Sequence, residues 1–343
     1  MENISYSKIS TFDNCPYKFK LIYKDKHFID SKNIALNFGT LVHFIEESMA
    51  KEFLSLGENF KYNFQIDKFI NKFIDIFINL DDEENKIFGM KKLKLLYAKD
   101  FNERDKNGLN YAEKGNLYLN EGIYRLYNYL IQNPNLRIFG IEKEFNLPYQ
   151  SCNFHGFIDR IFIDKVTNTL YVEDIKTYSA PLKKSDLTTP LQFVFYALAA
   201  ENLFSIPLDN IKCAYEIPLC NIKQEAGTKG FISRGIKKID KLLLGIKQGI
   251  MEPKPSPLCF WCPFSETTPN QPEEAKNLCP YFSNWTKDVK SFSCMNEWMG
   301  EENHQAILEA FINRKNNIKD TPEKILIKPA IEINPERRFL IRR

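Results

Sequence analysis

The stretch FHGFIDRIFIDKVTNTLYVEDIKTY, residues 154–178, decides the fold. Its two ends are rich in β-branched and aromatic residues, as is typical of strands, and the polar DKVTNT between them predicts a turn. Three charged residues, Glu173, Asp174 and Lys176, nevertheless stand within the second predicted strand, where buried strands rarely carry charge. By alternation Glu173 faces away from the other two, and we interpret it as a surface or ion-paired residue.

A hairpin register places a second carboxylate, that of Asp159, beside Asp174 and Lys176. If the two predicted strands turn in the middle of the polar segment, Asp159 lies opposite Asp174 and Phe157 lies opposite Lys176, with Cβ atoms about 5 Å apart. Two carboxylates at this short distance repel each other unless a cation lies between them. Mg²⁺ suits such a place, because it binds few carboxylates and keeps its other positions for water and phosphate. The pattern therefore predicts a metal-dependent phosphodiesterase site, with Lys176 placed to orient water or to stabilise phosphate charge. The alternative is an ordinary salt bridge of Asp159 with Arg160 or Lys176.

The surrounding pattern predicts an α/β order of elements. Apolar residues recur at helical spacing in the first part of the chain, a charged and aromatic helical lobe follows, and strands and helices then alternate. The predicted elements are a helix at 39–54, the lobe at 55–136, strands at 137–149, 154–164 and 170–178, a helix at 189–204, a strand at 211–219 and a basic helix at 233–250.

Several motifs resemble those of one family. GFIDR (156–160), VEDIKT (172–177) and QFVFY (192–196) resemble the PD-(D/E)XK nucleases of the RecB type, and FGTLVH (38–43) and SYSKISTFDNCPYKFK (5–20) extend the resemblance. It covers 1–54 and about 137–285, and is closest to the iron-sulphur exonuclease branch with the CRISPR-associated adaptation nucleases and AddAB-type nuclease domains. The resemblance implies a restriction-endonuclease-like core, a mixed sheet flanked by helices, with an inserted helical lobe and a C-terminal cysteine-rich metal-cluster region.

The resemblance also implies roles for individual residues. Asp159 and Asp174 match the family's metal carboxylates, Lys176 its catalytic lysine, and His43 the histidine that completes the metal site. Without the motif, a single histidine on a helix is more often solvated or hydrogen-bonded than a ligand. Imidazole beside carboxylates suits Mn²⁺ as well as Mg²⁺.

Further residues are expected close to this site. Gln192 and Tyr196 match the family's Gln-x-x-x-Tyr helix, share one helix face and are expected to bind DNA. The alternative interpretation is a polar residue and a core tyrosine without a role in the site. Glu144 and Glu142, on the strand before Asp159, are also expected near the site.

The cysteines form a possible ligand set. Cys259 and Cys262 make a Cys-x-x-Cys, Cys279 follows, and Cys15 stands near the N-terminus. The resemblance implies that these four hold a [4Fe-4S] cluster, although four thiolates also suit structural zinc. Because 16 residues separate Cys262 from Cys279, where the family's spacing is short, Cys294 competes as the fourth ligand. The remaining cysteines read as buried thiols: Cys152, Cys213 and Cys220.

Composition and missing motifs narrow the function. The net charge of +3 permits DNA binding without requiring it, and no run reaches the roughly 18 apolar residues of a membrane helix. We therefore expect a cytoplasmic protein (in a host cytoplasm if phage-encoded), without a membrane partner and with reduced thiols. The sequence has no G-x-x-x-x-G-K-[ST] motif and therefore no recognisable nucleotide-driven motor, so a helicase or recombination protein is expected as a partner. It has no G-x-S-x-G motif that would indicate a serine hydrolase.

The resulting prediction is a metal-dependent DNA exonuclease acting on single strands or DNA ends. A structure-specific endonuclease and a non-catalytic DNA-end-binding subunit remain the alternatives. The predicted organisation is an N-terminal part with the cluster cysteine and first core helix, the lobe, the nuclease core, the cysteine region, and a C-terminal helix with a basic tail. Their bounds are 1–54, 55–136, 137–250, 251–294 and 295–343.

Overall fold

The computed structural model describes part of the chain, in two compact units. The described residues are 2–27, 34–78, 104–105, 107–254, 258–259, 262–264, 275 and 278–279. One unit holds the described residues 2–6 and 34–239, and the other holds 7–27 and those from 240 to 279. Cys294 and the predicted C-terminal helix and tail lie outside the described residues.

Helices and strands follow the predicted order, with additional short elements near the N-terminus and between the predicted elements. The helices are α1 (Tyr6–Asn14), α2 (Pro16–Phe19), α3 (Ile34–Leu56), α4 (Phe60–Asn63), α5 (Ile66–Ile78), α6 (Tyr111–Asn120), α7 (Arg125–Gln132), α8 (Lys184–Thr188), α9 (Leu191–Phe204) and α10 (Phe231–Lys247). The strands are β1 (Glu2–Ile4), β2 (Leu136–Tyr149), β3 (Cys152–Asp164), β4 (Thr169–Ile175), β5 (Ile211–Ile217) and β6 (Ile222–Ala226). None of the described helices combines the length and apolarity that a bilayer span requires.

The described strands form one mixed sheet around β3. β3 pairs antiparallel with β2 and β4 and parallel with β1, while β5 runs parallel to β4 and antiparallel to β6. Ile161 pairs with Val172 and Ile163 with Leu170, so the predicted hairpin register is confirmed. The result is a mixed sheet flanked by helices, consistent with a restriction-endonuclease-like fold.

Three details of the strands differ from prediction. β4 ends at Ile175 rather than at Tyr178, because its pairing with β3 stops at Glu173 and its pairing with β5 stops at Ile175. β1 was missed because three residues carry no readable alternation. β6 was missed because its sequence IKQEA is mostly polar, as is common for an outer strand.

The helical lobe shares an apolar core with α3. Phe38 of α3 contacts Phe73 of α5 and Tyr111 of α6 edge to face, and Tyr118 of α6 is fully buried against Phe73. α6 begins with a capping box in which Asn110 and Glu113 bond to each other's backbone N–H groups. The lobe is therefore anchored on the helix that carries His43. Residues 79–103 of the predicted lobe lie outside the described part of the chain.

The second unit is built around its own aromatic and cysteine-containing contacts. Phe19 packs edge to face on Phe12 and against Tyr23, and Leu21 forms a small buried cluster with Phe264 and Ala275. Cys262 and Cys279 pack against that cluster. The sequence near the N-terminus and the Cys-x-x-Cys region thus belong to one unit.

Candidate active site

The two predicted carboxylates meet where pairing between β3 and β4 stops. The last paired residues are Arg160 and Glu173, and the next position on each strand is Asp159 and Asp174. The backbone N–H of Ile175 donates a hydrogen bond of 2.8 Å to Oδ2 of Asp159. The end of the hairpin therefore presents both aspartates together, as the register predicts.

His43 reaches the same place from α3. Its Nδ1 lies 3.6 Å from Oδ2 of Asp159. One ligand atom each from His43, Glu142 and Asp159 lie within 4.8 Å of one another, close enough to bind a common ion. A nitrogen and two carboxylate oxygens are ligands that Mn²⁺ and Mg²⁺ accept, so the residues present fit a divalent ion.

Glu142 belongs to this group through an unusual backbone conformation. Its φ is +43°, in the left-handed region that glutamate rarely adopts. Burial, with the neighbouring charge of Asp159, raises the pKa of Glu142 to about 7. A strained residue beside a candidate ion site is a functional signal, because such strain persists only where the surroundings impose it.

Glu144, the other glutamate predicted near the site, is placed differently. It lies opposite Phe157 in the sheet, its side chain is 63% exposed, and its Oε1 is 3.9 Å from Nδ1 of His155. The structure therefore brings Glu142 rather than Glu144 into the ion-binding group. Alternation alone puts both on one face of β2, and the left-handed turn at Glu142 is what distinguishes them.

Asp174, which the sequence predicts as a metal ligand, lies outside this group of three and forms a buried ion pair with Lys176. Nζ of Lys176 lies 2.6 Å from Oδ2 of Asp174, which is 2% exposed. Burial raises the pKa of Asp174 and the charge of Asp159 adds to the effect, while Lys176 opposes both. Burial disfavours the charged lysine, but Asp174 outweighs it and raises the pKa of Lys176. The open alternative of a salt bridge between Lys176 and Asp159 gives way to pairing with Asp174.

Gln192 and Tyr196 from α9 complete the surroundings of Asp174. Nε2 of Gln192 donates a hydrogen bond of 2.6 Å to Oδ1 of Asp174. The Tyr196 hydroxyl lies 2.9 Å from Nε2 of Gln192 and 3.5 Å from the same Oδ1. Lys176 donates 3.3 Å to Oε1 of Gln192. Their contacts are with Asp174 and Lys176, so their predicted role in DNA binding remains a prediction.

Comparison with known proteins identifies the family. The protein-family model described as the PD-(D/E)XK nuclease superfamily matches residues 3–267. The chain belongs to the PD-(D/E)XK nuclease superfamily. Membership indicates a metal-dependent nuclease that binds DNA and uses a divalent ion such as Mg²⁺ or Mn²⁺. No curated protein matches the chain.

Behind the candidate site lies a buried set of charges that sequence reasoning missed. Arg160 bonds to Glu46 and Glu173 rather than to Asp159, and Lys223 forms an ion pair with Glu173. Glu173 is fully buried, so its interpretation as a surface residue is wrong. Its pairs with Arg160 and Lys223 confirm the alternative interpretation as an ion-paired residue. Burial acts to raise the pKa of Glu173, but the two cations outweigh it and lower that pKa.

The helical lobe also contacts the segment that follows Lys176. Nδ2 of Asn107 donates 2.7 Å to Oγ of Ser179, and that hydroxyl donates to Asp105. Lys114, 5% exposed, lies 3.0 Å from Asp105. Burial opposes ionisation of Asp105, but the bonds from Ser179 and Lys114 prevail and lower its pKa to about 2. The lobe is thus tied to the chain three residues beyond Lys176.

The four cysteines predicted as ligands lie in the second unit. Sγ of Cys15 accepts hydrogen bonds from the backbone N–H groups of Lys18 and Lys254, at 3.4 and 3.5 Å. Burial raises the pKa of Cys262, Lys18 opposes this, and Cys15 lies near enough to raise it further. Among the described residues, the sulfurs of these cysteines do not come within 4.8 Å of one another in a set of three.

The other cysteines are separate from that set. Cys152 and Cys213 are buried in the sheet, where burial raises the pKa of each thiol. Cys220 is only half-buried, so its interpretation as a buried thiol is wrong; it sits in the turn after β5, with Sγ 3.6 Å from the carbonyl oxygen of Tyr178.

Proposed function

We propose that the protein is a Mg²⁺- or Mn²⁺-dependent deoxyribonuclease that acts as an exonuclease on single-stranded DNA or DNA ends. The observation that carries the proposal is the convergence of His43, Glu142 and Asp159 beside the Asp174–Lys176 pair. A divalent ion held by these ligands would supply an activated water and neutralise phosphate charge. Recombination, repair or CRISPR-type processing are the pathways in which such an activity belongs.

Side chains beside the proposed ion would position the phosphate and stabilise its charge. Lys176 has a half-buried ammonium held between Asp174 and Gln192, so it presents a fixed positive charge to a phosphate oxygen or an attacking water. Gln192 and Tyr196 orient Asp174 from α9. Fixed donors and charges of this kind need no rearrangement when negative charge develops, which is why they favour the transition state.

Two exposed aromatic residues support a single-stranded substrate. Phe157 lies two residues before Asp159 on β3, and Tyr178 lies two residues after Lys176; their exposed fractions are 47% and 45%. Exposed rings stack on unpaired bases in proteins that bind single strands, whatever the base. Exposed lysines on α10, including Lys237, could follow the phosphates of the same strand.

The contact between the lobe and Ser179 supports action at ends. It brings an inserted segment beside the site, an arrangement that favours a threaded strand over an internal loop. The structure-specific endonuclease remains the alternative, since the same core serves both reactions. A non-catalytic DNA-end-binding subunit is disfavoured, because it has no need of Asp159, Asp174 and Lys176 together. A helicase or recombination partner is proposed because the sequence has no motor motif.

The deciding assay compares end-labelled linear and covalently closed circular single-stranded DNA, with Mg²⁺, Mn²⁺ or EDTA. We expect ion-dependent loss of the linear substrate, an intact circle, and no reaction by Lys176→Ala. Lys212→Ala is the matched control, because Lys212 is an exposed lysine on a strand of the same sheet. Cleavage of the circle would establish the endonuclease instead, and equal inactivity of wild type and Lys176→Ala under every condition would exclude a nuclease.

We also propose that Cys15, Cys259, Cys262 and Cys279 bind a [4Fe-4S] cluster, with structural zinc as the alternative and Cys294 as a competing fourth ligand. Support comes from their shared unit and from the packing of Cys262 and Cys279 on one small cluster. Backbone N–H groups that bond to Cys15 would stabilise a thiolate at that sulfur.

A further inference from the structure

The elements that bring the site residues together carry a second, buried set of charges. Each element has one charged residue close in sequence to its site residue, and all are at most 3% exposed. They are Glu46 on α3, three residues after His43; Arg160 on β3, directly after Asp159; and Glu173 on β4, directly before Asp174. The same three segments are therefore joined twice, once at the site and once behind it.

Arg160 is the centre of this second junction. Its Nη1 lies 3.1 Å from Oε2 of Glu46, and its Nε and Nη2 each lie 2.9 Å from Oε2 of Glu173. The two strand residues are direct partners in the sheet, whereas Glu46 comes from a helix 114 residues away in sequence. A planar guanidinium with five fixed donors can hold two carboxylates at defined positions, which an ammonium cannot do.

Two further groups complete the set. Lys223 of β6 pairs with Glu173 and lies 3.6 Å from the ring centroid of Tyr129, and the hydroxyl of Tyr118 donates 3.0 Å to Oε1 of Glu46. The carboxylates of Glu46 and Glu173 thus face the cations of Arg160 and Lys223. The second oxygen of Glu46 accepts from Tyr118. A buried ion network contributes little net stability compared with apolar residues of the same volume. In some proteins such a network specifies one arrangement of the elements.

We propose that Arg160 is a positioning residue for the ion site. By holding Glu46 against Glu173, it sets the place of α3 relative to β3 and β4, and with it the distance of His43 from Asp159 and Asp174. The inference rests on the proposed metal-dependent function. Ligand atoms must be held within a fraction of an ångström for an ion to bind well, so a shift of α3 would weaken ion affinity without removing a ligand.

The test compares two equivalent substitutions in the full-length protein. Arg160→Lys keeps the positive charge and loses the planar donor fork. Arg125→Lys makes the same change in the ion pair of Arg125 with Glu216, in which neither residue is next in sequence to an ion ligand. The readout is Mn²⁺ affinity, from the loss of the free-ion electron paramagnetic resonance signal on titration without DNA. We expect Mn²⁺ binding about 10- to 100-fold weaker in Arg160→Lys and changed less than about threefold in Arg125→Lys.

A second variant keeps the proposal testable if Arg160→Lys does not fold. Glu46→Gln keeps the shape and one acceptor oxygen, so it loses the charged bond to Arg160 while remaining foldable; Mn²⁺ should bind about tenfold more weakly. If Arg160→Lys or Glu46→Gln lowers the melting temperature but binds Mn²⁺ like wild type, the network is only structural and the proposal fails. If wild type binds Mn²⁺ and the variants do not, yet wild type cleaves no DNA, the positioning role stands and the proposed nuclease function fails.

Discussion

The backbone N–H of Ile175 donates to Oδ2 of Asp159, the same oxygen that lies 3.6 Å from Nδ1 of His43. A side chain of β3 therefore takes a backbone donor of β4 at the point where the ladder between them ends. This bond orients the carboxylate toward His43 before any ion binds. It also lets the structural and chemical roles of Asp159 be separated.

Asp159→Asn should fold but lose ion binding. The amide oxygen still accepts from Ile175, and repulsion from Asp174 falls, so the free energy of unfolding should change by less than about 1 kcal/mol. Mn²⁺ affinity and DNA cleavage should each fall about 100-fold or more, because a charged ligand is lost. Urea unfolding and Mn²⁺ titration measure the two effects. An Asn variant that binds Mn²⁺ like wild type would remove Asp159 from the site.

Glu142→Gln and Glu144→Gln form a matched pair on one strand. The first should weaken Mn²⁺ binding by about tenfold or more, because it removes a carboxylate from the ion-binding group. The second should leave binding unchanged, because Glu144 is exposed and lies near His155. Calorimetric titration with Mn²⁺ on both variants distinguishes them. The opposite ranking would show that Glu144 is the ligand.

The stability of the ion-free protein should depend on pH. The pKa of Glu142 is raised from 4.5 to about 7, and that of Asp174 is raised too, so the folded state holds more protons than the unfolded state between these values. The free energy of unfolding therefore falls as pH rises from about 4.5 to about 7, and this contribution is constant above. Thermal unfolding in EDTA across this range measures it, and Glu142→Gln should flatten the slope.

Ion binding should show the opposite trend with pH. Mn²⁺ must displace the proton of Glu142, so affinity rises with pH until this carboxyl group is ionised and then levels off above about pH 7. The melting-temperature gain on adding Mn²⁺ should grow accordingly. A gain that is equal at pH 5 and pH 8 would contradict the assignment of Glu142 as an ion ligand.

Phe157→Ala and Tyr178→Ala should each raise the KM for single-stranded DNA. Loss of one stacked base corresponds to about 1–3 kcal/mol, with a smaller change in kcat. Phe139→Ala is the control, because Phe139 is 45% exposed but packs against Phe204 on α9. Initial rates on an oligonucleotide give both constants. Equal effects at Phe139 would show that exposure alone, and not position, explains the loss.

The cysteine region should yield iron and sulphide. Protein purified without oxygen should contain about four of each per chain, and Cys262→Ser should lose both. Cys213→Ser, at a buried thiol in the sheet, should keep them. Comparing Cys279→Ser with Cys294→Ser identifies the fourth ligand. Stoichiometric zinc without sulphide would replace the cluster with a zinc site.

The hairpin and its aspartates could be predicted because they depend on local rules. Side-chain alternation and the position of the polar turn define the register, so Asp159 and Asp174 followed without knowledge of the rest of the fold. His43 and the Gln192–Tyr196 pair required the family resemblance, since their approach to the hairpin is a tertiary contact.

The remaining features had no local signal. The left-handed φ of Glu142 occurs at a residue type that gives no warning of it, so the choice between Glu142 and Glu144 could not be made from sequence. The contact of Glu46 with Arg160 joins distant residues, and charged side chains are expected at the surface unless partners are known.

The backbone at Glu142 restricts how this position can change over evolutionary time. Only a few residue types adopt a left-handed φ easily, and glycine, asparagine and aspartate lead them. Among these, aspartate alone also keeps a carboxylate. Exchange of Glu142 for aspartate would relax the main chain but shorten the reach to the ion by one methylene. Substitution at this position is thus limited by two opposing requirements. The residue must adopt a left-handed φ without strain, and its carboxylate must reach the proposed ion.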